Sequence, residues 1–391
     1  MAITGSDTTA LNRRLRLGMV GGGRGAFIGA VHRIAARLDD RWEFVAGALS
    51  SDPERARLSG QDLLLKPDRV YGDFAEMARR EKRLKDGIDA VAIVTPNHAH
   101  FPAAKAFLKA GIHVICDKPL TTTRREAEQL VKLANESGLV FAVTHNYTGY
   151  PLVRQARAMI EAGTLGALRV VQVEYAQDWL ATPLEESGQK QAAWRTDPTK
   201  SGPAGSVGDI GTHAFNLAEF ICGDEVAEVA AELHAFVPGR RLDDNAHMML
   251  RFAGGAKGML WCSQVAAGQE NGLRIRVYGE RGGLEWHQEN PNLLVHSPLG
   301  EPPRLIRRNG AGADDVSKAA SRIPSGHPEG YLEGFAQIYT DVAEQIAARI
   351  ENRAPNPFSA QVPTVDHGLR GVRFIEAAVR SSQRKAAWVA V

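Results

Sequence analysis

The sequence is poor in cysteine, in excess charge and in long apolar runs. Its 391 residues include only three cysteines, Cys116, Cys222 and Cys262, too few and too scattered for a disulfide framework or a cysteine metal cluster. Lys and Arg number 47 against 45 Asp and Glu, so the net charge of +2 argues against a protein that binds nucleic acid by neutralising phosphates. No run approaches the ~18 apolar residues that cross a bilayer. We therefore expect a cytoplasmic protein with reduced thiols and with neither a nucleic-acid nor a membrane partner.

The N-terminus raises the question of an export signal because Arg13 and Arg14 stand together. No apolar segment with a cleavage site follows them, so we expect no exported leader, and residues 1–12 are predicted to be a loose tail. At ~150 residues per domain, the length predicts two domains. The composition, 44% hydrophobic and 24% charged, is typical of globular proteins.

Secondary-structure patterns divide the chain near residue 146. Over 13–146, short apolar strands alternate with helices of roughly 10–15 residues, a pattern that predicts a parallel sheet built from βαβ units. Over 147–391, strands that alternate polar and apolar residues follow one another, which predicts an α+β domain with an antiparallel sheet. Residues 298–327 are predicted to be a loop, and the apolar stripe from Tyr331 to Ile346 predicts a final long helix.

A glycine-rich turn follows the first predicted strand. Gly21, Gly23 and Ala26 form a G-x-G-x-x-A pattern that opens a helix, the context of a dinucleotide-binding fingerprint. Such glycines let the backbone approach a pyrophosphate, and the helix N-terminus supplies N–H groups. Gly25 and Gly29 predict a longer or more open loop than usual. The alternative is a glycine turn that binds nothing.

The end of the second predicted strand lacks the acidic residue that normally accepts the ribose hydroxyls of NAD. Ser50 and Ser51 occupy that place, and Asp52 follows. Without a carboxylate to repel a 2′-phosphate, NADP is admitted as well as NAD. Either Arg24 or Arg55 could pair with that phosphate, and either could equally be a solvated surface charge.

Two polar motifs follow the next two strands, at the carboxyl ends where ligands bind in open α/β sheets. They are Thr95-Pro96-Asn97-His98 and Asp117-Lys118-Pro119. The proline favours extended backbone at Lys118, so its ammonium is predicted to reach the ligand. The alternative is a surface lysine in a turn.

A third motif, Gly208-Asp209-Ile210-Gly211-Thr212-His213, lies far downstream on a predicted helix. Asp209 and His213 are four residues apart and therefore share one helix face. They could act as an orienting carboxylate and a general base, or as two metal ligands. No third ligand stands at a recognisable spacing, so we predict no metal. The structural alternative is a first-turn acid with a half-buried histidine.

Taken in order, the glycine turn, Thr95–His98, Asp117–Pro119 and Gly208–His213 resemble the Gfo/Idh/MocA oxidoreductase family. The resemblance runs from Arg16 to the end of the chain. That family usually has Glu-Lys-Pro where this chain has Asp117-Lys118-Pro119, which keeps the carboxylate. Within the family, Gln177-Asp178-Trp179, Trp194-Arg195 and His145-Asn146-Tyr147 are similar to levoglucosan and cyclitol dehydrogenases.

The resemblance implies an α/β protein with an N-terminal Rossmann domain for NAD(P) and a C-terminal α+β domain with a large open sheet. It implies hydride transfer between the nicotinamide and a hydroxyl-bearing carbon of a sugar, anhydrosugar or cyclitol. It also implies a homodimer or homotetramer that packs through the open sheet. The rival hypotheses are a non-catalytic NAD(P)-binding sensor on the same fold and a metal-dependent hydrolase or lyase.

On this resemblance we expect His213 to accept the hydroxyl proton and Lys118 to stabilise the same oxygen, although the two roles could be exchanged. Asp209 would hold the imidazole or bind a neighbouring hydroxyl. The expected cofactor-binding residues are Gly21, Gly23, Arg24, Gly25, Ala26, Ser50, Ser51, Thr95, Pro96, Asn97, His98, Asp117, Lys118 and Asn146. The expected substrate-lining residues are Tyr147, Asp178, Trp179, Trp194, Arg195 and Thr212. Packing in the core or at an interface is the alternative for Trp179 and Trp194.

Overall fold

The computed structural model describes residues 11–391, so residues 1–10 of the predicted tail lie outside the described residues. The described chain forms two compact units. The first contains residues 11–121, 125–149 and 331–369, and the second contains residues 122–124, 150–330 and 370–391. The sequence prediction assigned everything from residue 147 onward to the second domain, whereas the structure groups 331–369 with the first unit.

The strands of the first unit are β1 (Leu15–Gly21), β2 (Trp42–Ala48), β3 (Ala90–Val94), β4 (His113–Cys116) and β5 (Phe141–Val143). Those of the second unit are β6 (Leu168–Ala176), β7 (Val226–His234), β8 (Asn245–Phe252), β9 (Lys257–Ser263), β10 (Gly272–Gly279), β11 (Gly282–His287), β12 (Leu293–Pro298), β13 (Arg304–Arg307) and β14 (Val389–Ala390).

The helices are α1 (Phe27–Leu38), α2 (Pro53–Asp62), α3 (Phe74–Glu81), α4 (His100–Ala110), α5 (Arg124–Ser137), α6 (Pro151–Glu161), α7 (Lys190–Arg195), α8 (Pro198–Ser201), α9 (Thr212–Cys222), α10 (Asp315–Ala319), α11 (Tyr331–Ile350) and α12 (Val365–Gln383). Single 3₁₀ turns occur at Pro67–Arg69, Asn97–Ala99, Asn146–Gly149, Leu184–Ser187 and Pro357–Gln361, and a π-helical turn at Val207–Gly211.

The sheet of the first unit is parallel throughout, with the strand order β2-β1-β3-β4-β5. All five residues of β3 are buried, as expected for a strand covered on both faces. Gly21 pairs with Val94, and Ile93 pairs with Cys116, so β1, β3 and β4 end at the same edge. The turns after these three strands therefore emerge side by side, and the predicted parallel sheet is confirmed.

Helix α11 belongs to the first unit because its apolar stripe packs on α1 and on the residues around β2. The His32 and Phe335 rings lie 5.0 Å apart, and the Trp42 indole N–H donates to the Tyr339 carbonyl at 3.0 Å. The stripe correctly predicted this helix, but nothing local in the sequence indicates which sheet it covers. The prediction that α11 is the final helix is wrong, since α12 follows it.

The second unit contains a nine-stranded sheet in which every neighbouring pair is antiparallel except β6 and β9. Helix α9 packs on β6, β9 and β10, so the sheet supports the helix that carries His213. The large, mainly antiparallel sheet is confirmed. The prediction of a loop over 298–327 is wrong, because β13 and α10 lie there. Both are short, and β13 is a mostly exposed edge strand whose two apolar residues are adjacent and show no alternation.

Candidate active site

The turn between β1 and α1 exposes bare backbone. Gly21, Gly22 and Gly25 have φ values of +81°, +72° and +78°, in the left-handed region that favours glycine. A Cβ at Gly23 would lie 2.6 Å from the Leu49 carbonyl oxygen, whereas nothing lies within 4 Å of one at Gly25. Gly29 does not lengthen the loop as predicted, because it lies inside α1, where a Cβ would come within 2.4 Å of the Gly22 Cα.

Side chains near the end of β2 already accept hydrogen bonds from nearby backbone N–H groups. Ser50 Oγ accepts from the Asp52 N–H at 3.1 Å, and the Asp52 carboxylate caps α2 by accepting from the Arg55 N–H at 2.6 Å. The Arg24 guanidinium makes two bonds to Asp62, at 2.5 and 2.7 Å, and the bond lowers the pKa of that carboxyl. Of the two arginines considered for a 2′-phosphate, Arg24 is thus held by Asp62.

His100 joins the turns that follow β3 and β4. Its Nδ1 and Nε2 atoms lie 2.9 Å from the carbonyl oxygens of Pro119 and Thr95, and complete burial lowers its pKa. Sequence analysis missed this role of His100, whose only signal was a histidine shortly after the polar turn at Thr95–His98. Of the predicted cofactor-side residues, Asn97 is buried and His98 is exposed.

Two buried polar atoms near these turns have no hydrogen-bond partner among the described residues. They are the Thr95 hydroxyl oxygen and the Asn146 side-chain nitrogen, and both residues were predicted to bind cofactor. A buried polar atom costs free energy unless it is hydrogen-bonded, so these two atoms fit a polar ligand. Together with the open glycine turn, they make the first unit compatible with a dinucleotide.

The Asp117 carboxylate is held by two other side chains of the first unit. Its Oδ1 atom accepts from the Thr144 hydroxyl at 2.5 Å and lies 3.2 Å from His32 Nε2. Burial acts to raise the pKa of Asp117, but the contacts with His32 and Thr144 outweigh it and lower the pKa. The neighbouring Lys118 is half-buried, and Tyr147 is buried against the Tyr331 ring.

In the second unit, a distant carboxylate holds the segment that carries Asp209 and His213. Asp243 accepts from the backbone N–H groups of Gly205 and Val207 and from the Ser206 hydroxyl, at 2.6 to 2.9 Å. The sequence offers no local signal for this cap. Asp209 lies in the π-helical turn and His213 in α9, so the predicted single α-helical face does not apply to the pair.

Arg195 contacts Asp209, and the predicted substrate residues Trp194 and Trp179 lie against the Arg195 guanidinium. Asp209 Oδ2 accepts from Arg195 Nε at 3.0 Å and from Gln264 Nε2 at 2.9 Å. The centre of the guanidinium lies 4.3 Å from the Trp194 ring and 5.7 Å from the Trp179 ring. Sequence analysis missed Gln264, which follows β9 and belongs to no recognisable motif.

The remaining predicted residues of the second unit, His213, Asp178 and Thr212, have different neighbours. The His213 ring is mostly buried and lies 6.3 Å from the Tyr175 ring. Asp178 Oδ2 accepts from the Gly268 N–H at 3.0 Å, and Thr212 is buried at the start of α9. Between residues 11 and 391, no group of three or more His, Cys, Asp or Glu side chains is arranged to hold a metal ion.

Family models match both parts of the chain. The model of the oxidoreductase family with an NAD-binding Rossmann fold matches residues 15–145, and that of the GFO/IDH/MocA C-terminal domain matches residues 153–285. The chain belongs to the Gfo/Idh/MocA oxidoreductase family. Membership confirms the predicted resemblance, the α/β fold and the NAD-binding oxidoreductase class. No helix over the described range is both long and apolar enough to cross a membrane.

Similar proteins cover almost the whole chain. An oxidoreductase structure from Sinorhizobium meliloti is 59% identical, with a TM-score of 0.88, over 97% of this chain and 100% of that one. An inositol dehydrogenase homolog from Azotobacter vinelandii, complexed with NADH and myo-inositol, is 37% identical, with a TM-score of 0.90, over 99% and 100%. Levoglucosan dehydrogenase from Pseudarthrobacter phenanthrenivorans is 29% identical over 72% of this chain and 76% of its own.

Proposed function

We propose that this protein is a dehydrogenase that transfers a hydride between NAD(P) and a hydroxyl-bearing carbon of a sugar, anhydrosugar or cyclitol. The observation that carries the substrate class is the cluster of Asp209, Arg195, Trp179 and Trp194 on and around the segment that leads to His213. Indole faces pack against the apolar C–H face of a sugar ring, while a carboxylate and a guanidinium bind its hydroxyls. Myo-inositol and levoglucosan in the names of similar proteins support the same class.

For the cofactor, we propose that the N–H groups of the glycine turn hold the pyrophosphate and that Ser50 and Ser51 contact the adenine-side ribose. Thr95 and Asn146 would supply hydrogen bonds near the nicotinamide, because each side chain has a buried polar atom with no hydrogen-bond partner among the described residues. A bound nicotinamide ring exchanges the hydride at its C4 carbon.

For the chemical step, we propose that His213 accepts the proton of the substrate hydroxyl, since an imidazole titrates near neutral pH. The Lys118 ammonium would donate a hydrogen bond to the same oxygen and stabilise its negative charge. Asp209 would bind a neighbouring hydroxyl or hold the imidazole, with Arg195 and Gln264 fixing its carboxylate. We further propose a homodimer or homotetramer that packs through the sheet face bearing the exposed Met249 and Met259.

The test is a panel of sugars, anhydrosugars and cyclitols, incubated with NAD and with NADP and followed at the absorbance band of the reduced cofactor. The proposal predicts reduction of cofactor by at least one polyol, at a rate that a chelator leaves unchanged. Tight cofactor binding without turnover of any polyol would favour the sensor. Activity lost in the chelator would favour a metal-dependent enzyme.

A further inference from the structure

A buried chain of hydrogen bonds runs through the first unit from α11 to the end of β4. The Tyr339 hydroxyl lies 2.8 Å from His32 Nδ1, and His32 Nε2 lies 3.2 Å from Asp117 Oδ1. The Thr144 hydroxyl reaches the same oxygen at 2.5 Å. His32 and Tyr339 are almost completely buried, so water does not compete for these contacts. These hydrogen bonds link Asp117 to His32 on α1, the helix that begins after the glycine turn.

The contacts in this chain are satisfied when the Tyr339 hydroxyl donates to His32 and His32 donates to an ionised Asp117. Burial, followed by the charge of Asp117, raises the pKa of Tyr339 well above its usual range, so its hydroxyl stays protonated and donates to His32 Nδ1. With Nδ1 accepting from Tyr339, the His32 ring carries a proton on Nε2 and donates it to Asp117. The opposite tautomer would turn a lone pair toward the carboxylate. The satisfied arrangement therefore contains an ionised Asp117 that accepts two hydrogen bonds.

The surroundings of Asp117 also favour the charged carboxylate. His100 on α4 and His32 on α1 both act to lower the pKa of Asp117, against the effect of burial. Lys118 follows it in the chain, and His145 comes shortly after β5 within range of its charge. Asp117 is thus a fixed anion at the strand edge where the turns after β1, β3 and β4 meet.

We infer that Tyr339, His32 and Thr144 hold Asp117 as a fixed negative charge that favours the oxidised cofactor over the reduced one. The inference rests on the proposed function, in which the reacting oxygen lies at Lys118 and the nicotinamide therefore lies near the neighbouring Asp117. The nicotinamide ring carries a positive charge in NAD⁺ and none in NADH, whereas the phosphates are common to both. A carboxylate beneath the ring therefore stabilises NAD⁺ selectively, by about tenfold for a separation of several ångströms in a partly screened site.

The test compares the dissociation constants of NAD⁺ and NADH, measured by titration without substrate, in the wild type and in variants. Asp117→Asn keeps the shape and removes the charge, so the ratio Kd(NAD⁺)/Kd(NADH) should rise about tenfold. Glu136→Gln on α5 neutralises an exposed carboxylate of the same unit and should leave the ratio unchanged. A ratio in Asp117→Asn within twofold of the wild type, with NADH still bound, would overturn the inference.

His32 variants test the hydrogen-bonded chain and cover the case in which Asp117→Asn does not fold. His32→Gln retains an N–H donor and should keep the wild-type ratio, whereas His32→Met removes the donor and should raise the ratio. An equal ratio in these two variants would contradict the role of His32. Failure of the wild-type protein to bind either nucleotide would instead overturn the proposed function, so the two failures are distinguishable.

Discussion

Arg195 and Asp209 form an ion pair, Nε to Oδ2 at 3.0 Å, that joins the end of α7 to the π-helical turn before α9. Both side chains are mostly shielded from solvent, so the pair is screened less than a surface ion pair. The guanidinium also lies over two indole rings, which restricts its position. The pair therefore fixes the direction of the Asp209 carboxylate.

Replacing Arg195 should weaken the use of substrate more than the binding of cofactor. In Arg195→Ala, Asp209 loses its charged partner, and kcat/KM for the polyol should fall about tenfold or more, with NADH affinity unchanged. Steady-state kinetics and NADH titration measure the two effects. Arg157→Ala, which removes a partly exposed Arg157–Glu161 ion pair on α6, is the matched control. Equal losses of kcat/KM in both variants would show that Arg195 has no special role.

Lys118→Ala should remove catalysis while leaving the affinity for cofactor nearly unchanged. Without the ammonium, the negative charge on the reacting oxygen loses its hydrogen-bond donor, and kcat should fall by at least about 10²-fold. Single-turnover rates and NADH titration separate the two properties. Lys109→Ala, at the end of α4, is a control for the loss of one positive charge from the first unit. A Lys118→Ala enzyme with a near-normal rate would rule out the proposed role.

Ser50→Asp should shift the cofactor preference toward NAD. A carboxylate at the end of β2 would repel a 2′-phosphate, and one reversed contact of this kind is worth ~1.4 kcal/mol or more, which is about tenfold. The ratio of kcat/KM for NAD and NADP measures the preference. If the wild-type enzyme already uses NAD at least about a hundredfold better than NADP, the interpretation of Ser50 is wrong.

Much of the cofactor half could be predicted from the sequence, because glycines, prolines and strand ends leave local patterns. The glycine turn follows β1, and the Asp117–Pro119 motif follows β4, as the sequence pattern predicted. Residues whose partners lie far away in the sequence leave no such local pattern. Asp243 caps a segment more than 30 residues earlier in the chain, and Gln264 reaches Asp209 from the end of β9. Only the folded chain brings such pairs together.

The packing of α11 shows the same limit. Its apolar stripe identifies a helix. Because such a stripe can pack on any apolar surface, it does not indicate which sheet or helix it covers. The contacts that place it in the first unit, such as Tyr339 with His32, join residues about 300 positions apart. The elements on which α11 packs could therefore not be predicted from the spacing of its apolar residues.

His113 should make the protein less stable as the solution becomes acidic. Burial lowers the pKa of His113 to about 4, and its Nδ1 atom accepts the Val140 N–H at 2.9 Å. The unfolded chain takes up the proton near pH 6.5, so stability falls with pH below that value and down to the folded pKa. Between pH 6.5 and pH 5 the loss should be about 1.6 kcal/mol.

Denaturant unfolding at several pH values measures that loss. His113→Gln should lose less stability than the wild type over this range, while His327→Gln, at an exposed histidine, should behave like the wild type. Parallel curves for the wild type and His113→Gln would assign the acid sensitivity to other groups.

The most direct measurement follows the hydride itself. A polyol that reduces the cofactor in the panel is prepared with deuterium on the carbon that bears the reacting hydroxyl, and the reduced cofactor is analysed by mass spectrometry. Direct transfer to the nicotinamide predicts one deuterium in each molecule of reduced cofactor and a slower single-turnover rate. Reduced cofactor without the label, or loss of the label to water, would contradict the proposed dehydrogenase chemistry.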